Sequence, residues 1–346
     1  MTEFELIEQI FLKLQIDSAF ANDSQHLIEK GIGDDAAVMT LPLGSRLVSC
    51  IDTLVQGRHF SGDWTEVNKL AFAIGYKAVA VNVSDLAAMG AVPHSILLAI
   101  ALPECLANEQ WLTEFAKGLF HACQLFGVTL IGGDTTRNET LILSISAQGL
   151  LAANTRAVYR SGAQVGDKVY VSGTIGDAAY ALQHSDNAIG AELAHRLHMP
   201  TPRIALGAAL ANSGATAMID ISDGLYQDLG HICQQSGVSM RLNLEHLPTS
   251  KPLFSVDLPE RLLCQLTGGD DYELAFTLPA HIKLPDVHTQ VTCIGEVIAL
   301  TGADTTSGKI AAAKPRLFYQ DCELSASHPA PFTTLPSLTG YQHFTG

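Results

Sequence analysis

Aspartate residues recur in this chain beside glycine or beside apolar, strand-like sequence. They lie in Gly33-Asp34-Asp35, at Asp52, at Asp85, in Gly132-Gly133-Asp134, in Asp220-Ile221-Ser222-Asp223-Gly224 and in Gly268-Gly269-Asp270-Asp271. A carboxylate left unpaired beside a buried strand costs roughly several kcal/mol, so such groups need cations or several hydrogen-bond donors. Basic residues are scarce, because 20 Lys and Arg stand against 35 Asp and Glu. Mg²⁺ prefers oxygen ligands and commonly accompanies nucleotide phosphates, so the pattern predicts a magnesium and nucleotide site.

Each acidic motif also has an explanation that involves no ligand. Asp35 follows glycines that permit a tight bend, but the same segment suits an acidic turn before a strand. Asn82 and Asp85 lie on one side of a predicted helix and could form a capping or salt-bridged pair, and Asp52 could be a solvated strand end. Asp223 suits an ordinary helix N-cap. The functional interpretation therefore depends on the motifs occurring together.

Basic and histidine residues near these motifs are the other candidates for ligand contacts. Arg137 and Arg160 are the basic residues closest to the acidic motifs and could bind phosphate, with a surface salt bridge as the alternative. His59 could contact a substrate or pack in the interior. Residues 302–309 do not match the spacing of a P-loop, and no Gly-x-Gly-x-x-Gly follows a strand, so the common nucleotide signatures are not met.

Composition limits the class of protein. At 346 residues the chain is long for one core, which predicts two domains. The formal net charge of −15 argues against nucleic acid or an anionic membrane as a partner. The seven cysteines are scattered without a Cys-x-x-Cys pair, which indicates reduced thiols. The acidic start is unlike a signal peptide and no apolar run could span a bilayer, so we expect a cytoplasmic protein.

Strands and helices of an α/β (α+β) pattern would position the acidic groups. Alternation predicts a strand over residues 46–52 that ends at Asp52, and the Ala-rich stretch 65–89 predicts one long helix that carries Asp85. A short strand over 128–131 leads into Asp134, and a strand over 217–221 delivers Asp220. Further predicted helices cover residues 4–14, 109–126, 178–184, 191–197, 203–212 and 224–233, and further strands cover 95–101, 141–151, 168–172, 239–242, 274–277 and 291–297. We predict an N-terminal domain over 1–152 and a C-terminal domain over 153–346.

Taken in order, a set of motifs resembles the thiamine-monophosphate kinase family. They are Gly-Ile-Gly-Asp-Asp-Ala from Gly31, Asp-Thr-Leu-Val-x-Gly-x-His-Phe from Asp52, Asn-Val-Ser-Asp-Leu-Ala-Ala-Met-Gly-Ala from Asn82, Ile-Gly-Gly-Asp-Thr-Thr-Arg from Ile131, Arg-Ser-Gly-Ala from Arg160, Ile-Asp-Ile-Ser-Asp-Gly-Leu from Ile219 and Gly-Gly-Asp-Asp-Tyr-Glu-Leu from Gly268. As an ordered set these motifs are highly specific. The resemblance also places the chain in the superfamily of aminoimidazole ribonucleotide synthetase and selenophosphate synthetase.

The resemblance implies a fold, a reaction and a set of site residues. The fold has two domains of the aminoimidazole ribonucleotide synthetase-like type: an N-terminal sheet with helices, which binds ATP and Mg²⁺ and forms a barrel in a homodimer, and a C-terminal α/β domain that completes the site. ATP would phosphorylate thiamine monophosphate to thiamine diphosphate, with several Mg²⁺ ions. The implied metal ligands are Asp35, Asp52, Asp85, Asp134, Asp220 and Asp223, with Cys50 and the Ile51 carbonyl nearby. The implied ATP contacts are Gly133, Asp134, Arg160, Ser222 and Lys117, and the implied contacts to thiamine monophosphate are His59, Asp270 and Tyr341.

The sequence departs from the family pattern at two positions and leaves other functions open. Cys50 stands where relatives tend to have a hydroxyl residue, and a thiol is a poor ligand for Mg²⁺. Asp270 stands where relatives often carry Glu. Another synthetase of the same superfamily is one alternative, although a selenophosphate synthetase would need a reactive Cys near the N-terminus, and residues 1–30 contain none. A non-catalytic sensor of ATP or divalent metal is the other.

Overall fold

The structure is a computed structural model that describes residues 27–300, 313–334 and 336–340. These residues form two compact units. Unit 1 contains the described residues up to Leu86 together with Ala91–Thr155, and unit 2 contains Ala87–Gly90 together with the described residues from Arg156 onward. Within the described ranges, no helix combines the length and the apolar character needed to cross a membrane. The predicted helix over residues 4–14 lies outside them.

Unit 1 is built on a four-stranded sheet in the order β3-β6-β4-β5. Strand β6 runs antiparallel to β3 and β4, whereas β5 runs parallel to β4. In chain order the elements are β1 (Ile28–Lys30), β2 (Val38–Met39), β3 (Arg46–Val55), α1 (Trp64–Lys69), α2 (Ala71–Ala88), β4 (Val92–Leu102), a 3₁₀ turn (Glu104–Leu106), α3 (Glu109–Phe126), β5 (Thr129–Arg137) and β6 (Ile142–Leu151). Strands β1 and β2 form a separate antiparallel pair.

Helices α2 and α3 cross closely because glycine lies at the crossing point. A Cβ added at Gly75 would lie 2.2 Å from the Phe115 carbonyl oxygen, and one at Gly118 would lie 1.8 Å from the Phe72 carbonyl oxygen. Helix α3 begins where the Asn108 side chain accepts a hydrogen bond from the Trp111 N–H, which satisfies one of the free donors of the first turn. The pair therefore packs backbone against backbone.

The two faces of β3 differ in exposure. Cys50, Asp52 and Leu54 alternate with residues of the opposite face and are buried or partly buried, since their face lies toward α2. On the opposite face Leu47 is 49% exposed, Ile51 is 66% exposed, and Leu97 of β4 is 39% exposed. Ile51 and Leu97 both pair with the same β6 residue, Ser146. We call this side of the sheet the open face, and its apolar side chains are in contact with solvent in the single chain.

Unit 2 is built on a seven-stranded sheet in the order β13-β12-β9-β11-β7-β10-β8. Pairing is antiparallel except between β12 and β9. In chain order the elements are β7 (Lys168–Ser172), α4 (Asp177–Gln183), α5 (Ala188–His198), α6 (Ile204–Ser213), β8 (Ala217–Asp220), α7 (Leu225–Ser236), β9 (Ser239–Asn243), 3₁₀ turns (Leu244–His246 and Leu253–Ser255), α8 (Leu258–Thr267), β10 (Leu274–Leu278), β11 (Val291–Ile298), β12 (Pro315–Tyr319) and β13 (Cys322–Glu323).

Helices cover both faces of the unit 2 sheet because successive strand residues point to opposite sides. Val171 and Ile219 pack in one cluster with Leu229 of α7. Met218 and Phe276 pack in another cluster with α6. The sheet is therefore buried on both faces, which accounts for its nearly continuous apolar strands.

The predicted elements agree with the structure for most long segments, with the exceptions given below. The α/β fold with two domains of this type is confirmed. The predicted helix over 65–89 is two helices, because the chain is interrupted at Leu70, which caps α1. Asp52 and Asp134 do not end strands, since β3 continues to Val55 and β5 continues to Arg137. Helix α8 and strands β1, β2, β12 and β13 were not predicted.

Candidate functional site

In unit 1, a buried asparagine links helix α2 to the middle of strand β3. The Asn82 side chain is 1% exposed, and its Oδ1 accepts a hydrogen bond from the Asp52 N–H at 3.0 Å. The Cys50 thiol lies 3.3 Å from the Asn82 carbonyl oxygen and donates toward it. Asn82 also donates to the Ala78 carbonyl oxygen at 3.0 Å. Asn82 thus links α2 to β3, and Asp85 of the same helix lies beside the Cys50 thiol as well.

Asp52 and Asp85 come together around Cys50. Burial raises the pKa of the Cys50 thiol well above its usual value, and the charges of Asp85 and Asp52 and a hydrogen bond to Asp85 raise it further. The thiol therefore stays protonated near neutral pH, and Cys50 acts as a hydrogen-bond donor rather than as a thiolate. Asp52 and Asp85 therefore both lie close to the Cys50 thiol.

The glycine and aspartate of Gly132-Gly133-Asp134 lie inside β5, opposite β4. Gly133 pairs with Leu98, and an added Cβ at Gly133 would lie 2.0 Å from the Leu98 carbonyl oxygen. A close approach of two strands accordingly requires glycine here, whether or not a nucleotide binds. Asp134 follows in an exposed position. Asp35 lies in an irregular exposed segment, where its N–H donates to the Asp34 side chain at 3.1 Å.

Three further predicted residues of unit 1 make local contacts. His59 Nδ1 accepts a hydrogen bond from the Val55 N–H at 3.0 Å, so the imidazole closes the turn after β3. Lys117 forms an ion pair with Glu114 one turn earlier on α3, at 2.7 Å. Arg137, which we considered for phosphate, forms an exposed ion pair with Glu104 at 2.6 Å. The Ile51 side chain lies on the open face, opposite to Asp52.

In unit 2, a buried carboxylate shapes the loop between β8 and α7. Asp228 Oδ2 accepts hydrogen bonds from the N–H groups of Ser222, Asp223 and Gly224, at 3.2, 3.2 and 3.1 Å. Burial raises the pKa of Asp228 well above its usual value, and the charges of Asp220 and Asp223 add to the rise. Asp220, Asp223 and Asp228 are therefore neighbours. Asp228 was not among the predicted site residues. It lies four residues after Gly224, a spacing that allows its side chain to reach back to the start of helix α7.

Arg160 lies beside this loop. Burial lowers the pKa of His231 on α7, the charge of Arg160 lowers it further, and the charge of Asp223 opposes them. Both Arg160 and Asp223 are thus close enough to His231 to affect it. The backbone around Arg160 is held by Ser236 of α7, whose hydroxyl accepts from the Gly162 N–H at 3.1 Å. One basic residue therefore accompanies the acidic loop of unit 2.

The Gly268-Gly269-Asp270-Asp271-Tyr272 segment contacts the loop before α7 directly. The Asp270 N–H donates to the Ser222 carbonyl oxygen and the Tyr272 N–H donates to the Ile221 carbonyl oxygen, at 3.0 and 2.9 Å. An added Cβ at Gly269 would lie 2.2 Å from the Ser222 carbonyl oxygen. The structure thus brings Asp270 together with the predicted residues Asp220, Ser222 and Asp223.

A network of buried charges lies beneath this segment. Glu273 has a fully buried side chain and accepts hydrogen bonds from Arg196 at 2.8 Å, from Arg203 at 2.6 and 2.5 Å, and from the Ser172 hydroxyl at 2.5 Å. Asp271 Oδ2 accepts from the Gly176 N–H at 2.8 Å. These partners are distant in sequence, so no local pattern could have predicted them.

The surroundings of the Asp271 carboxyl group favour its protonated form. Burial raises its pKa well above the usual value, and the nearby carboxylates Asp177 and Glu273 raise it further. The Gly176 N–H and Arg196 act in the opposite direction without cancelling the rise. Asp271 Oδ1 is buried without a hydrogen-bond partner. A neutral carboxylic acid at this position limits the negative charge of the network.

Among the described residues, no group of three or more His, Cys, Asp or Glu side chains is arranged to hold a metal ion. Of the predicted site residues, the structure brings together Asp52 and Asp85 in unit 1. In unit 2 it brings together Arg160, Asp220, Ser222, Asp223 and Asp270. Tyr341, a predicted substrate contact, lies outside the described residues. The assignment of these residues to metal, ATP and substrate stays a prediction.

Comparison with known proteins identifies the family. Residues 33–151 match the model of the N-terminal domain of AIR synthase related proteins, and residues 164–279 match the model of the C-terminal domain. Thiamine-monophosphate kinase of Salmonella typhimurium is 40% identical over 86% of this chain and 90% of its own length. The Haemophilus influenzae protein of the same name is 38% identical over 86% of this chain and 89% of its own length.

Two solved structures agree with this result. Thiamine-monophosphate kinase from Stenotrophomonas maltophilia K279a has a TM-score of 0.76 and 38% identity, and covers 87% of this chain and 96% of its own. AaThiL, complexed with AMPPCP and TMP, has a TM-score of 0.71 and 29% identity, and covers 99% of this chain and 97% of its own. From its sequence and its fold, the chain belongs to the thiamine-monophosphate kinase family.

Proposed function

We propose that this protein transfers the γ-phosphoryl group of ATP to the phosphate of thiamine monophosphate, giving thiamine diphosphate and ADP. The observation that carries the proposal is the 40% identity to a thiamine-monophosphate kinase over 86% of the chain. The related structure with AMPPCP and TMP supports it, because both ligands are of the kind that the reaction requires. This reaction is an ATP-dependent step that would supply the diphosphate form of the vitamin.

The charge of the site residues suits a reaction between two anions. ATP and a phosphate monoester repel each other, and the acidic loops of unit 1 and unit 2 would add to this repulsion without cations. Asp52 and Asp85 in unit 1, and Asp220 and Asp223 in unit 2, offer carboxylate oxygens, which are the ligands that Mg²⁺ prefers. The protonated thiol of Cys50 does not compete with them. The ligand chemistry of these residues suits magnesium, and we propose Asp35, Asp134 and the Ile51 carbonyl as further ligands.

Magnesium bound there would neutralise phosphate charge during an in-line transfer. The remaining roles belong to side chains and backbone of the chain. Gly133, Arg160, Ser222 and Lys117 would contact ATP, with the Arg160 guanidinium suited to a phosphate. The acceptor oxygen is already anionic, so no general base is needed. We therefore propose no catalytic residue beyond the metal ligands.

Thiamine monophosphate carries a cationic ring as well as a phosphate. A carboxylate is the natural partner for that cation, and Asp270 is an aspartate beside the acidic loop of unit 2. His59 and Tyr341 are the other residues that we propose for this substrate. The Nδ1 of His59 accepts from the Val55 N–H, which fixes the position of the imidazole after β3.

We propose further that the protein is a homodimer that buries the open face. Leu47, Ile51 and Leu97 expose apolar surface on one side of a sheet whose other side packs against helices. Apolar surface of this kind gains free energy when a partner removes it from water. Sedimentation of the Leu97→Lys variant should show monomers, whereas Leu182→Lys, which changes an equally apolar residue that is 65% exposed in unit 2, should leave the dimer intact. Monomers in the unmodified protein would contradict this proposal.

The kinase activity is tested by following ³¹P signals of the protein with ATP, Mg²⁺ and thiamine monophosphate. New diphosphate ester and ADP are expected, and free thiamine in place of the monophosphate should give no product. Unchanged spectra with proven ATP binding would favour a sensor and refute the kinase. Asp52→Asn should abolish turnover, while Asp321→Asn, whose side chain is 95% exposed, is the matched control and should retain it.

A further inference from the structure

The segment that carries Asp270 has an unusual backbone. Asp270 and Tyr272 have φ angles of 66° and 51°, in the left-handed region that residues with a Cβ seldom adopt. For a residue as large as tyrosine this conformation is unfavourable unless the surrounding structure enforces it. Backbone of this kind is concentrated at functional sites, so its presence beside Asp270 calls for a functional explanation.

Two sets of contacts enforce the backbone of this segment. On one side, the N–H groups of Asp270 and Tyr272 donate to the carbonyl oxygens of Ser222 and Ile221. On the other side, Asp271 accepts from the Gly176 N–H at 2.8 Å. The next residue is Glu273, which the two arginines hold. The segment is therefore anchored at four consecutive residues to elements that are distant in sequence, and its shape does not depend on a ligand.

The Tyr272 side chain connects this rigid backbone to the Asp270 carboxylate. Tyr272 is only 8% exposed, and its hydroxyl donates to Asp270 Oδ1 at 3.0 Å. This hydrogen bond joins two side chains of the segment with left-handed backbone angles. Asp270 itself remains partly accessible. Oδ1 of the Asp270 carboxylate is thus fixed by the Tyr272 hydroxyl, and the carboxylate remains partly exposed to a ligand.

We propose that Tyr272 is a positioning residue, whose hydroxyl holds the Asp270 carboxylate in the orientation that receives the cationic heteroaromatic part of the substrate. The inference rests on the proposed function for the identity of that substrate. A carboxylate held before binding loses less rotational freedom when the ligand arrives, so pre-organisation contributes to affinity. The hydroxyl donates to Asp270, so its loss should affect the substrate that this carboxylate receives more than it affects ATP.

The test replaces the hydroxyl without changing the ring. Tyr272→Phe should raise the KM for thiamine monophosphate by about tenfold, the effect of losing a hydrogen bond to a charged group. The KM for ATP should stay within about twofold of the unmodified value. The matched control is Tyr180→Phe, because Tyr180 is 5% exposed and its hydroxyl accepts from Asn187 at 3.2 Å on the helices α4 and α5. The control should change neither KM.

A double-mutant cycle separates positioning from a general effect on the fold. In an Asp270→Ala background, Tyr272→Phe should raise the KM for thiamine monophosphate no further, since the carboxylate that it positions is gone. Fully additive effects would overturn the proposal. Equal increases in both KM values, or an unchanged KM for thiamine monophosphate, would overturn it as well.

Calorimetric binding of thiamine monophosphate keeps this inference separate from the proposed reaction. If the unmodified protein binds the compound but does not phosphorylate it, the proposed function fails alone, and Tyr272→Phe must still weaken binding by about tenfold. If the unmodified protein and Tyr272→Phe bind thiamine monophosphate equally, the role of Tyr272 is refuted. The proposed kinase activity is then decided by the ³¹P assay alone. If the unmodified protein does not bind the compound, both proposals are refuted.

Discussion

Replacement of Glu273 by alanine should destabilise unit 2 more than any single change to a surface ion pair. The Glu273 side chain is fully buried, and the side chains of Arg196 and Arg203 are 14% and 20% exposed. Alanine would leave two guanidinium groups in this interior with no carboxylate between them. Ser172 would lose the acceptor of its hydroxyl as well.

The magnitude follows from the cost of leaving a buried charge without its partner. Breaking a buried ion pair typically costs about 3–5 kcal/mol, because the remaining charge keeps its desolvation penalty. Glu273→Gln keeps the shape and one acceptor oxygen but not the charge, so we expect a smaller loss of about 2–3 kcal/mol, the range for a hydrogen bond to a charged group. The matched control is Glu296→Ala, which breaks an ion pair with Lys168 on neighbouring strands of the same sheet. That pair is 43% and 39% exposed, so its loss should cost only about 0–1 kcal/mol.

Urea unfolding followed by circular dichroism measures these differences. Both tryptophans of the chain, Trp64 and Trp111, lie in unit 1, so fluorescence reports on that unit and provides an internal reference. The circular dichroism transition of Glu273→Ala should move to lower urea concentration than that of Glu296→Ala. Equal losses in the two variants would refute the reasoning, because burial would then have no influence on the strength of the pair.

Three other changes test the site. Asp134→Ala should reduce kcat by at least about a hundredfold with little change in unfolding temperature, as measured by steady-state kinetics and calorimetry, and near-normal kcat would show that Asp134 is no metal ligand. Burial raises the folded-state pKa of Asp271, so its contribution to stability is complete below the unfolded-state value and is lost as the pH rises through the folded-state value. Asp271→Asn has no proton to lose, so its free energy of unfolding should fall less than that of the unmodified protein between about pH 4 and pH 8, and identical slopes in urea titrations would contradict this. Gly269→Ala would place a Cβ 2.2 Å from the Ser222 carbonyl oxygen and should cost about 2–4 kcal/mol, with kcat/KM reduced for both substrates; an unchanged thermal transition would exclude the clash.

The local sequence pattern was sufficient to predict elements such as helix α3, whose first and last residues are marked by the residue types beside them. Helix α3 was predicted over the residues that it occupies from its amphipathic pattern, and in the structure Asn108 caps its start and Gly127, with a φ of 70°, ends it. The helix over 65–89 was predicted too long, because the break at Leu70 has no glycine or proline to mark it. Asp52 was placed at the end of a strand predicted from alternation over residues 46–52, but pairing with β6 extends β3 to Val55.

The amino-acid sequence alone determined the family, the two-domain α/β plan and the acidic, glycine-rich motifs from which the proposed site is built. These features depend on residue type and short spacing, which a single chain displays directly. Only the tertiary structure revealed the groups that hold those motifs in shape. Asp228 reaches back to the loop before α7, and Arg196 and Arg203 reach Glu273 across 77 and 70 residues. The order of strands in the sheet decides which distant residues become partners. Because these residues are buried, their hydrogen bonds and ion pairs hold the loops of the proposed site in position.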